Sequence, residues 1–439
     1  MAENVVIYAI IHQPRRLKLP AQPLPASAST DELERALFDD TLNRFYLRKV
    51  ARYCYWPASE LFLHLVENGM RLSLGFSVSF LEQAARWDEP LLERFRTLVA
   101  HPNVDLVCVE PYHSFIFYVD ITLFQRRMEW ARNHLQRLFG KRPQVAHVTE
   151  MFMSREVYRA LEQLGFKAAL MEGRYRVLDW RSPAYLYRHG DGKLALMTRH
   201  KDLSDDVGYR FSQKTWPGYP LRASDWAQWI RDTAGDVVLV GWDFETFGEH
   251  HYSDSGIFEF LRWLPGELQY RGVEMLTVGS ALERFRKNVF PLDLPLQATT
   301  WAGLNGDPSF FFGNQAQFQI FLRMAHVVNL AKLSDDPRLL DLAFWLCQSD
   351  NLHLLQWMNS GDKSEAEVSS YFTPGYWWNL GHSGIPWELC RVYDNLAAAI
   401  GHRLEARKPL AHKNISTLPP LAAAVPERVD DLVAAGAAG

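Results

Sequence analysis

The chain has 439 residues, 48% of them hydrophobic, and a formal net charge of −4. This length exceeds one small core and favours a large α/β barrel joined to a smaller domain. The negative charge argues against nucleic acid or an anionic membrane as the main partner, and no stretch has the length and apolarity of a membrane span.

The N-terminus and the cysteines indicate a cytoplasmic protein. The first residues carry a short apolar run without a basic leader, which predicts a strand and not a signal peptide. The cysteines are scattered, with no pair at metal-ligand spacing; they are Cys54, Cys108, Cys347 and Cys390. Reduced, buried thiols are the simplest interpretation, and neither a cofactor nor a metal is expected.

Apolar runs of strand length recur through the first two thirds of the chain, with helical patterns between most of them. The predicted strands are Val5–Ile11, Leu72–Val78, Val104–Val109, Val145–Val148, Ala168–Met171, Leu194–Met197, Val237–Val240 and Val273–Val278. The predicted helices include Ala58–Asn68, Glu89–Ala100, Leu123–Phe139 and Ser154–Leu164. This alternation predicts an α/β fold of parallel βα units, either a barrel or a doubly wound sheet.

The pattern changes after Pro291, where helical periodicity dominates. The predicted helices there are Gln315–Lys332, Pro337–Gln348 and Pro386–Ala406. We therefore expect residues 1–290 to form the α/β domain and residues 291–405 to form a mostly helical second domain. Residues 406–439 are rich in alanine and proline, which predicts a loosely structured tail.

Four of the predicted strands end in residues suited to chemistry. His12 and Gln13 follow the first strand, Glu110 the third, Glu150 the fourth, and Asp243 a late strand. In a parallel barrel the carboxyl ends of all strands open on one face, so these side chains should converge. Two carboxylates from different strands suit a glycosidase, in which one attacks or activates water and the other protonates the leaving oxygen.

Each of these residues also has an ordinary structural interpretation. Glu150 could cap the helix that starts a few residues later, and His12 could be a satisfied core histidine. Tyr112 and His113 could simply pack in a loop. The acidic and histidine residues of Glu249–His251 lack the spacing of a metal motif, so we expect no metal there.

The motifs resemble those of glycoside hydrolase family 57, and the α-amylase branch is the most similar. They occur in order as HQP (His12–Pro14), EPYHS (Glu110–Ser114), TE (Thr149–Glu150), DFETFGEH (Asp243–His250) and WAGLNGDPSFFFGN (Trp301–Asn314). Similar stretches lie between them, and the resemblance covers about residues 5 to 375. Several ordered motifs over such a span are far more specific than one alone.

The resemblance implies an incomplete (β/α)7 barrel followed by a helical domain that closes over the cleft, and a retaining mechanism on α-1,4-glucans or malto-oligosaccharides. By motif, Glu150 corresponds to the nucleophile and Asp243 to the general acid/base. His12 resembles the sugar-binding histidine of the family, and Trp301 and Asp350 match positions from its C-terminal region. The full expected substrate-binding set is His12, Gln13, Glu110, Tyr112, His113, His147, Trp301 and Asp350.

A retaining mechanism sets requirements for the two carboxyl groups. Glu150 must be ionised to attack, and His12 or His147 could donate hydrogen bonds to it. Asp243 must hold a proton, and the apolar residues beside it could raise its pKa by desolvation. Retention also needs the two groups roughly 5–5.5 Å apart.

Some positions depart from the family pattern, and other functions stay open. Gly303 stands where an aspartate is usual, Asp105 where a glutamate is common, and Tyr371–Pro386 differs from the usual continuation. A 4-α-glucanotransferase would share the same glycosyl-enzyme intermediate. A catalytically silent glucan-binding protein is disfavoured because both carboxylates are present. A polysaccharide deacetylase would need a metal triad of one aspartate and two histidines at strand ends, and it is disfavoured because the sequence has no convincing HxxxH-type pair.

Overall fold

Seven parallel strands form a barrel at the centre of the computed structural model, which describes residues 1–358 and 374–407. The strands in chain order are β1 Asn4–Ile11, β2 Leu72–Phe76, β3 Val104–Val109, β4 Val145–His147, β5 Ala168–Glu172, β6 Leu186–Arg188, β7 Ala195–Arg199, β8 Val238–Asp243, β9 Glu274–Leu276 and β10 Val289–Pro291. Around the barrel the order is β8-β1-β2-β3-β4-β5-β7, and β7 returns to β8. β9 pairs with β1, and β10 pairs with β6.

Side chains on the barrel strands alternate between two cores. On β1, Val6, Tyr8 and Ile10 pack in the smaller cluster with residues of the other barrel strands. Val5 and Ile7 pack in the larger cluster with the helices. Because successive side chains of a strand point to opposite faces, the first cluster is the barrel interior and the second is its outer layer. Strands covered on both faces explain the continuous apolar runs of the sequence.

The barrel closes through a narrow seam between β7 and β8. These strands share one register pair, Arg199 with Leu239, whereas β1 and β8 pair over six residues. The preceding part of β7 pairs with antiparallel β6, at Leu186–Met197 and Tyr187–Leu196. The barrel is thus incomplete on one side, and Arg199 lies at the point where it closes.

Helices join the strands and form the outer layer. They are α1 Thr30–Leu37, α2 Asp40–Val50, α3 Trp56–Glu67, α4 Val78–Trp87, α5 Glu89–Ala100, α6 Ile116–Val119, α7 Ile121–Phe139, α8 Arg155–Gln163, α9 Tyr175–Leu178, α10 Lys201–Gly208, α11 Ala223–Asp232, α12 Ile257–Tyr270 and α13 Val278–Phe285. A π-helical turn, Ala51–Tyr55, joins α2 to α3. Ser77, Asp120 and Ser154 begin α4, α7 and α8 by accepting hydrogen bonds from backbone N–H groups.

The chain beyond the barrel is mostly helical. Its helices are α14 Ser309–Phe312, α15 Gln315–Ser334, α16 Pro337–Leu346, α17 Asp350–His353 and α18 Gly384–Arg407. Phe311 and Phe312 pack on Phe115, which follows β3, with ring centroids 4.9 and 5.0 Å away. The backbone N–H of Ser349 donates to the carbonyl of His113 at 2.8 Å. These contacts place α17 next to the carboxyl ends of the barrel strands.

The predicted fold class is confirmed, and all eight predicted strands are present. The sequence does not predict β6 and β10, because segments of three residues are too short to show a period. β10 crosses the predicted boundary at residue 290 and ends at Pro291. Of the predicted tail, only positions 406 and 407 lie within the described residues. Of the segment Tyr371–Pro386, the first three residues lie outside them. Within the described ranges, no helix combines the length and apolarity that a membrane crossing requires.

Candidate active site

Polar residues from several strand ends meet at the carboxyl end of the barrel. His12 follows β1, Glu150 lies in a short turn after β4, and Asp243 ends β8. These strands are linked through parallel pairings, so their carboxyl ends open on one face. His12 and Glu150 both interact electrostatically with Asp243. The expected convergence of these three residues is present.

The backbone of Glu150 is strained and held by the chain beyond the barrel. Its φ of 54° and ψ of 28° lie in the left-handed region, which costs a non-glycine residue about 1–3 kcal/mol. Its carbonyl accepts hydrogen bonds from Thr300 Oγ1 at 2.6 Å and from the backbone N–H of Trp301 at 3.2 Å. The Thr300–Trp301 segment therefore locks the turn that presents the Glu150 carboxyl group.

Both carboxyl oxygens of Glu150 have hydrogen-bond donors. Trp301 Nε1 donates to Oε2 at 2.6 Å, and Ser349 Oγ donates to Oε1 at 3.2 Å. The prediction that His12 or His147 donates a hydrogen bond to Glu150 is wrong. The ring nitrogens of His12 lie at hydrogen-bond distance from Ser77 and Asp350, and His147 pairs with the hydroxyl of Tyr8. Burial raises the pKa of Glu150 to about 7, and the Trp301 N–H opposes that rise by favouring the charged form.

Asp243 has a different environment. No residue within the described ranges donates a hydrogen bond to its carboxyl group. Burial raises the pKa of Asp243 to about 6, and electrostatic interactions with His12 and Arg199 oppose this rise. The negative charge of Asp243 also contributes to the raised pKa of Glu150. Burial thus gives Glu150 the higher pKa of the two groups, whereas its two hydrogen-bond donors favour its charged form. The assignment of the charge to Glu150 and of the proton to Asp243 therefore rests on the hydrogen bonds and on the family resemblance.

His12, His113 and Asp350 form a polar group beside Glu150. His12 Nε2 lies 3.2 Å from Asp350 Oδ2, and His12 Nδ1 lies 2.8 Å from Ser77 Oγ. The two histidine rings stack with centroids 4.3 Å apart. His113 Nδ1 lies 3.7 Å from Glu150 Oε1, and burial lowers the pKa of His113 well below its ordinary value. His113 is therefore neutral and presents a ring rather than a charge.

The same three residues could hold a metal ion. One ligand atom from each of His12, His113 and Asp350 lies within 4.8 Å of the others. One aspartate and two histidines also make up the triad that a deacetylase needs, but Asp350 lies on α17 and not at a strand end. Spacing along the sequence missed this group because His12 and Asp350 are 338 positions apart. The absence of a functional metal stays a prediction.

Gln13 and His147 contact tyrosine side chains. Gln13 is fully buried, and its Nε2 donates to the Tyr55 hydroxyl at 2.7 Å. His147 Nδ1 lies 2.7 Å from the Tyr8 hydroxyl, and its ring stands edge-on to Trp301 at 5.4 Å. Burial lowers the pKa of His147 to about 3, which keeps it neutral. These contacts are with neighbouring protein groups, and the substrate-binding roles of Gln13 and His147 stay predictions.

The structure does not bring Glu110 and Tyr112 into this group. Glu110 is fully buried and accepts hydrogen bonds from the backbone N–H of Ser114 at 2.5 Å and from Thr149 Oγ1 at 3.5 Å. Tyr112 is buried among aromatic rings, with the Trp345 ring 4.7 Å away. Both residues therefore brace the strand-end loops, and their predicted roles in substrate binding stay untested.

Sequence reasoning missed Ser349, Arg174 and Arg199. Ser349 donates to Glu150, and the Arg174 guanidinium donates to the carbonyls of Thr300 at 3.3 Å and Trp301. Ser349 carries no motif of its own. Arg199, in contrast, ends a strand just as the carboxylates do, and that positional signal could have found it.

The backbone at position 303 explains why a glycine stands there. Its φ is +65°, and a Cβ there would lie 2.9 Å from the Phe310 ring. Its carbonyl accepts a hydrogen bond from Arg174 Nη2 at 2.9 Å. Gly303 thus lets the loop that carries Trp301 turn tightly around the Arg174 side chain.

A cavity of about 330 Å³ lies elsewhere, outside the barrel between α11 and α12. Tyr219, Arg222 and Trp263 are among its lining residues. None of the polar residues described above lines it, so this cavity is separate from the candidate active site.

The variant Trp301→Phe distinguishes the contribution of the indole hydrogen bond from that of the aromatic ring. The variant keeps an aromatic face but loses the N–H donor to Glu150, so the charged form of Glu150 becomes less stable. We expect kcat to fall by about tenfold or more and the acidic limb of the pH profile to move to higher pH. Trp226→Phe is the matched control, because its indole N–H donates to the Leu203 carbonyl outside the barrel. Equal kcat values for the two variants would contradict this role of the N–H.

Comparison with known proteins gives one family match and one curated relative. The family model described as glycosyl hydrolase family 57 matches residues 6–295. The "Putative alpha-amylase" of Methanocaldococcus jannaschii is 32% identical over 397 residues, which cover 88% of this chain and 81% of that protein.

Solved structures with the same architecture are more distant in sequence. A 4-alpha-glucanotransferase from Thermococcus litoralis superposes with a TM-score of 0.61 at 14% identity; the match covers 80% of this chain and only 55% of that enzyme. A branching enzyme from Pyrococcus horikoshii gives a TM-score of 0.60 at 14% identity and covers 95% and 99% of the two chains. An alpha-amylase from Thermotoga maritima gives 0.51 at 11% identity over 93% and 100%. At these identities the structures demonstrate a shared fold alone.

Proposed function

Because the chain belongs to glycosyl hydrolase family 57, we propose that it hydrolyses α-1,4-linked glucans or malto-oligosaccharides by a retaining, two-step mechanism. One observation supports this most strongly. Two partly buried carboxyl groups from different strand ends share one face, and hydrogen-bond donors are concentrated on only one of them. This asymmetry suits a charged nucleophile and a protonated acid.

In the first step, Glu150 Oε attacks the anomeric carbon while the Asp243 carboxyl group protonates the departing glycosidic oxygen. The carbon–oxygen bond to the leaving glucan breaks, and a glycosyl ester forms on Glu150. Trp301 Nε1 and Ser349 Oγ hold the carboxylate for in-line attack, since both donate to it in the resting site. Their hydrogen bonds reduce the freedom of the nucleophile before substrate arrives.

In the second step, Asp243 is ionised and takes a proton from an incoming water. The water oxygen attacks the anomeric carbon from the face that the leaving group vacated, and Glu150 departs as a carboxylate. Two inversions give net retention. His12 and Asp350 bind sugar hydroxyls beside the reacting carbon, because their paired polar atoms border the same carboxylates.

We also propose that the enzyme acts in the cytoplasm and that residues 1–290 and 291–405 act as barrel and cleft-closing domains. All four cysteines are free thiols, and three of them are buried. This supports a reducing compartment. Contacts of Ser349 and Trp301 with Glu150 support a site completed by the chain beyond the barrel.

Maltoheptaose incubation with product analysis tests the proposal. Hydrolysis gives only products shorter than the input, and NMR at early times should detect the α-anomer first. Products longer than the input would show that the enzyme is a transferase. Transfer uses the same glycosyl-enzyme ester, but a sugar hydroxyl and not water attacks it in the second step. A β-anomer at early times would overturn retention. Loss of activity after chelation, restored by a divalent cation, would overturn the metal-free mechanism.

A further inference from the structure

Arg199 is a buried cation at the seam of the barrel. It is 4% exposed and ends β7, where that strand meets β8. Its Nη1 donates to Glu172 Oε2 at 2.7 Å, and its Nη2 donates to Asp205 Oδ1 at 2.8 Å. Two carboxylates around one guanidinium fix the plane of the side chain, because the donors of arginine form a rigid fork.

The third donor of this fork reaches the strand that carries Asp243. Arg199 Nε donates to the Gly241 carbonyl at 2.8 Å, two residues before Asp243. Since Arg199 and Leu239 form the one register pair between β7 and β8, this side-chain bond extends the seam towards the active face. The placement of the end of β8 therefore depends on the arginine as well as on the β-ladder.

The same guanidinium also contacts the residue that holds Glu150. Its Cζ lies 5.7 Å from the centroid of the Trp301 ring, within the range of a cation–π contact. Trp301 Nε1 in turn donates to Glu150 Oε2 at 2.6 Å. One side chain thus touches the supports of both carboxyl groups without touching either group itself.

We propose that Arg199 is a positioning residue for the reaction, which sets the relative placement of the Asp243 and Glu150 carboxyl groups by closing the seam and supporting Trp301. This inference rests on the proposed function of those two carboxylates. Glu172 and Asp205 take part by orienting the guanidinium. Arg199 and Glu172 lie outside the sequence stretches that carry the family resemblance, whereas Asp205 lies within one of them.

Arg199→Lys tests the geometry while keeping the positive charge. An ammonium cannot bond Gly241, Glu172 and Asp205 from one plane, nor present a planar face to Trp301. We expect kcat on maltoheptaose to fall by about 10- to 100-fold with little change in KM. Arg132→Lys is the matched control, because Arg132 is also buried, pairs with Glu129 at 3.3 Å and lies on α7 outside the barrel.

The double variant Arg199→Gln with Glu172→Gln tests the charge without leaving that glutamate unpaired. Groups that interact electrostatically with Asp243 are Tyr8, His12, Glu150, Arg199, Glu245, Asp350 and His353. Arg199 lowers the pKa of Asp243, so its removal should let the acid keep its proton to higher pH. The alkaline limb of the kcat/KM profile should move to higher pH in this double variant and keep its position in Arg199→Lys.

Two results would overturn the role of Arg199. One is an Arg199→Lys enzyme with the kcat of Arg132→Lys; the other is a loss of kcat that the folded fraction, measured by thermal unfolding, accounts for in full. If the double variant does not fold, the single lysine variant still decides the question. If the proposed function is wrong, the wild-type enzyme leaves maltoheptaose unchanged, and this result is distinct from a loss of kcat in the Arg199 variants. The ratio of variant to wild-type kcat can then be measured on any glycoside that the wild type cleaves.

Discussion

Glu150→Gln should lower turnover of maltoheptaose by ~10⁴-fold or more and leave the fold intact. The amide has nearly the same shape as the carboxyl group but cannot attack the anomeric carbon. Its oxygen can still accept the hydrogen bond from Trp301, so the strained turn keeps its contacts with Thr300 and Trp301. Steady-state kinetics and thermal unfolding measure the two effects separately.

Chemical rescue distinguishes a missing nucleophile from a damaged site. Glu150→Gly leaves space beside the anomeric carbon, and azide should restore cleavage of an activated aryl α-glucoside, giving a β-glycosyl azide. Glu156→Gln on α8 is the control, because this exposed glutamate lies outside the site and its variant should keep the wild-type rate. An active Glu150→Gln enzyme, or an α-configured azide, would end the assignment of Glu150 as nucleophile.

The barrel could be predicted from sequence because its strands are buried on both faces. A strand such as β8 must be apolar along its length, and only at its end can it carry a residue like Asp243. That positional rule located His12, Glu150 and Asp243 together, since parallel strands share one carboxyl face. The rule is weaker for Glu110, which also follows a strand but turns inward to cap the Ser114 turn.

The supports of the carboxylates could not be predicted, because they depend on packing between distant parts of the chain. Trp301 belongs to the substrate-binding set expected from the sequence, but the hydrogen bond from its indole N–H to Glu150 could not be predicted. Ser349 reaches the same carboxylate from a position 199 residues away. Arg199 lies where β7, after pairing with β6 along part of its length, meets β8 through one register pair. Spacing along the sequence reports none of these distances.

Asp243→Asn should separate substrates by their leaving groups. A maltoheptaose bond needs protonation to break, so we expect a loss of about 10²–10⁴-fold, whereas a dinitrophenyl α-glucoside should form its glycosyl-enzyme at a rate much nearer that of the wild type. Asp254→Asn is the control, because this exposed aspartate follows in the same loop. A burst of dinitrophenolate measures the first step apart from the second, which also needs Asp243 as base.

The pH dependence of kcat/KM tests the role of Asp243 as the general acid independently. Wild-type kcat/KM should be bell-shaped with its maximum between about pH 6 and 7, the values to which burial raises the pKa of Asp243 and Glu150. Below that range both groups are protonated and no nucleophile is available; above it both are ionised and no acid is available. In Asp243→Asn the dinitrophenyl substrate needs only an ionised Glu150, so the alkaline limb should disappear and the acidic limb should persist. An intact alkaline limb in this variant, together with equal losses on both substrates, would show that the proton comes from another group.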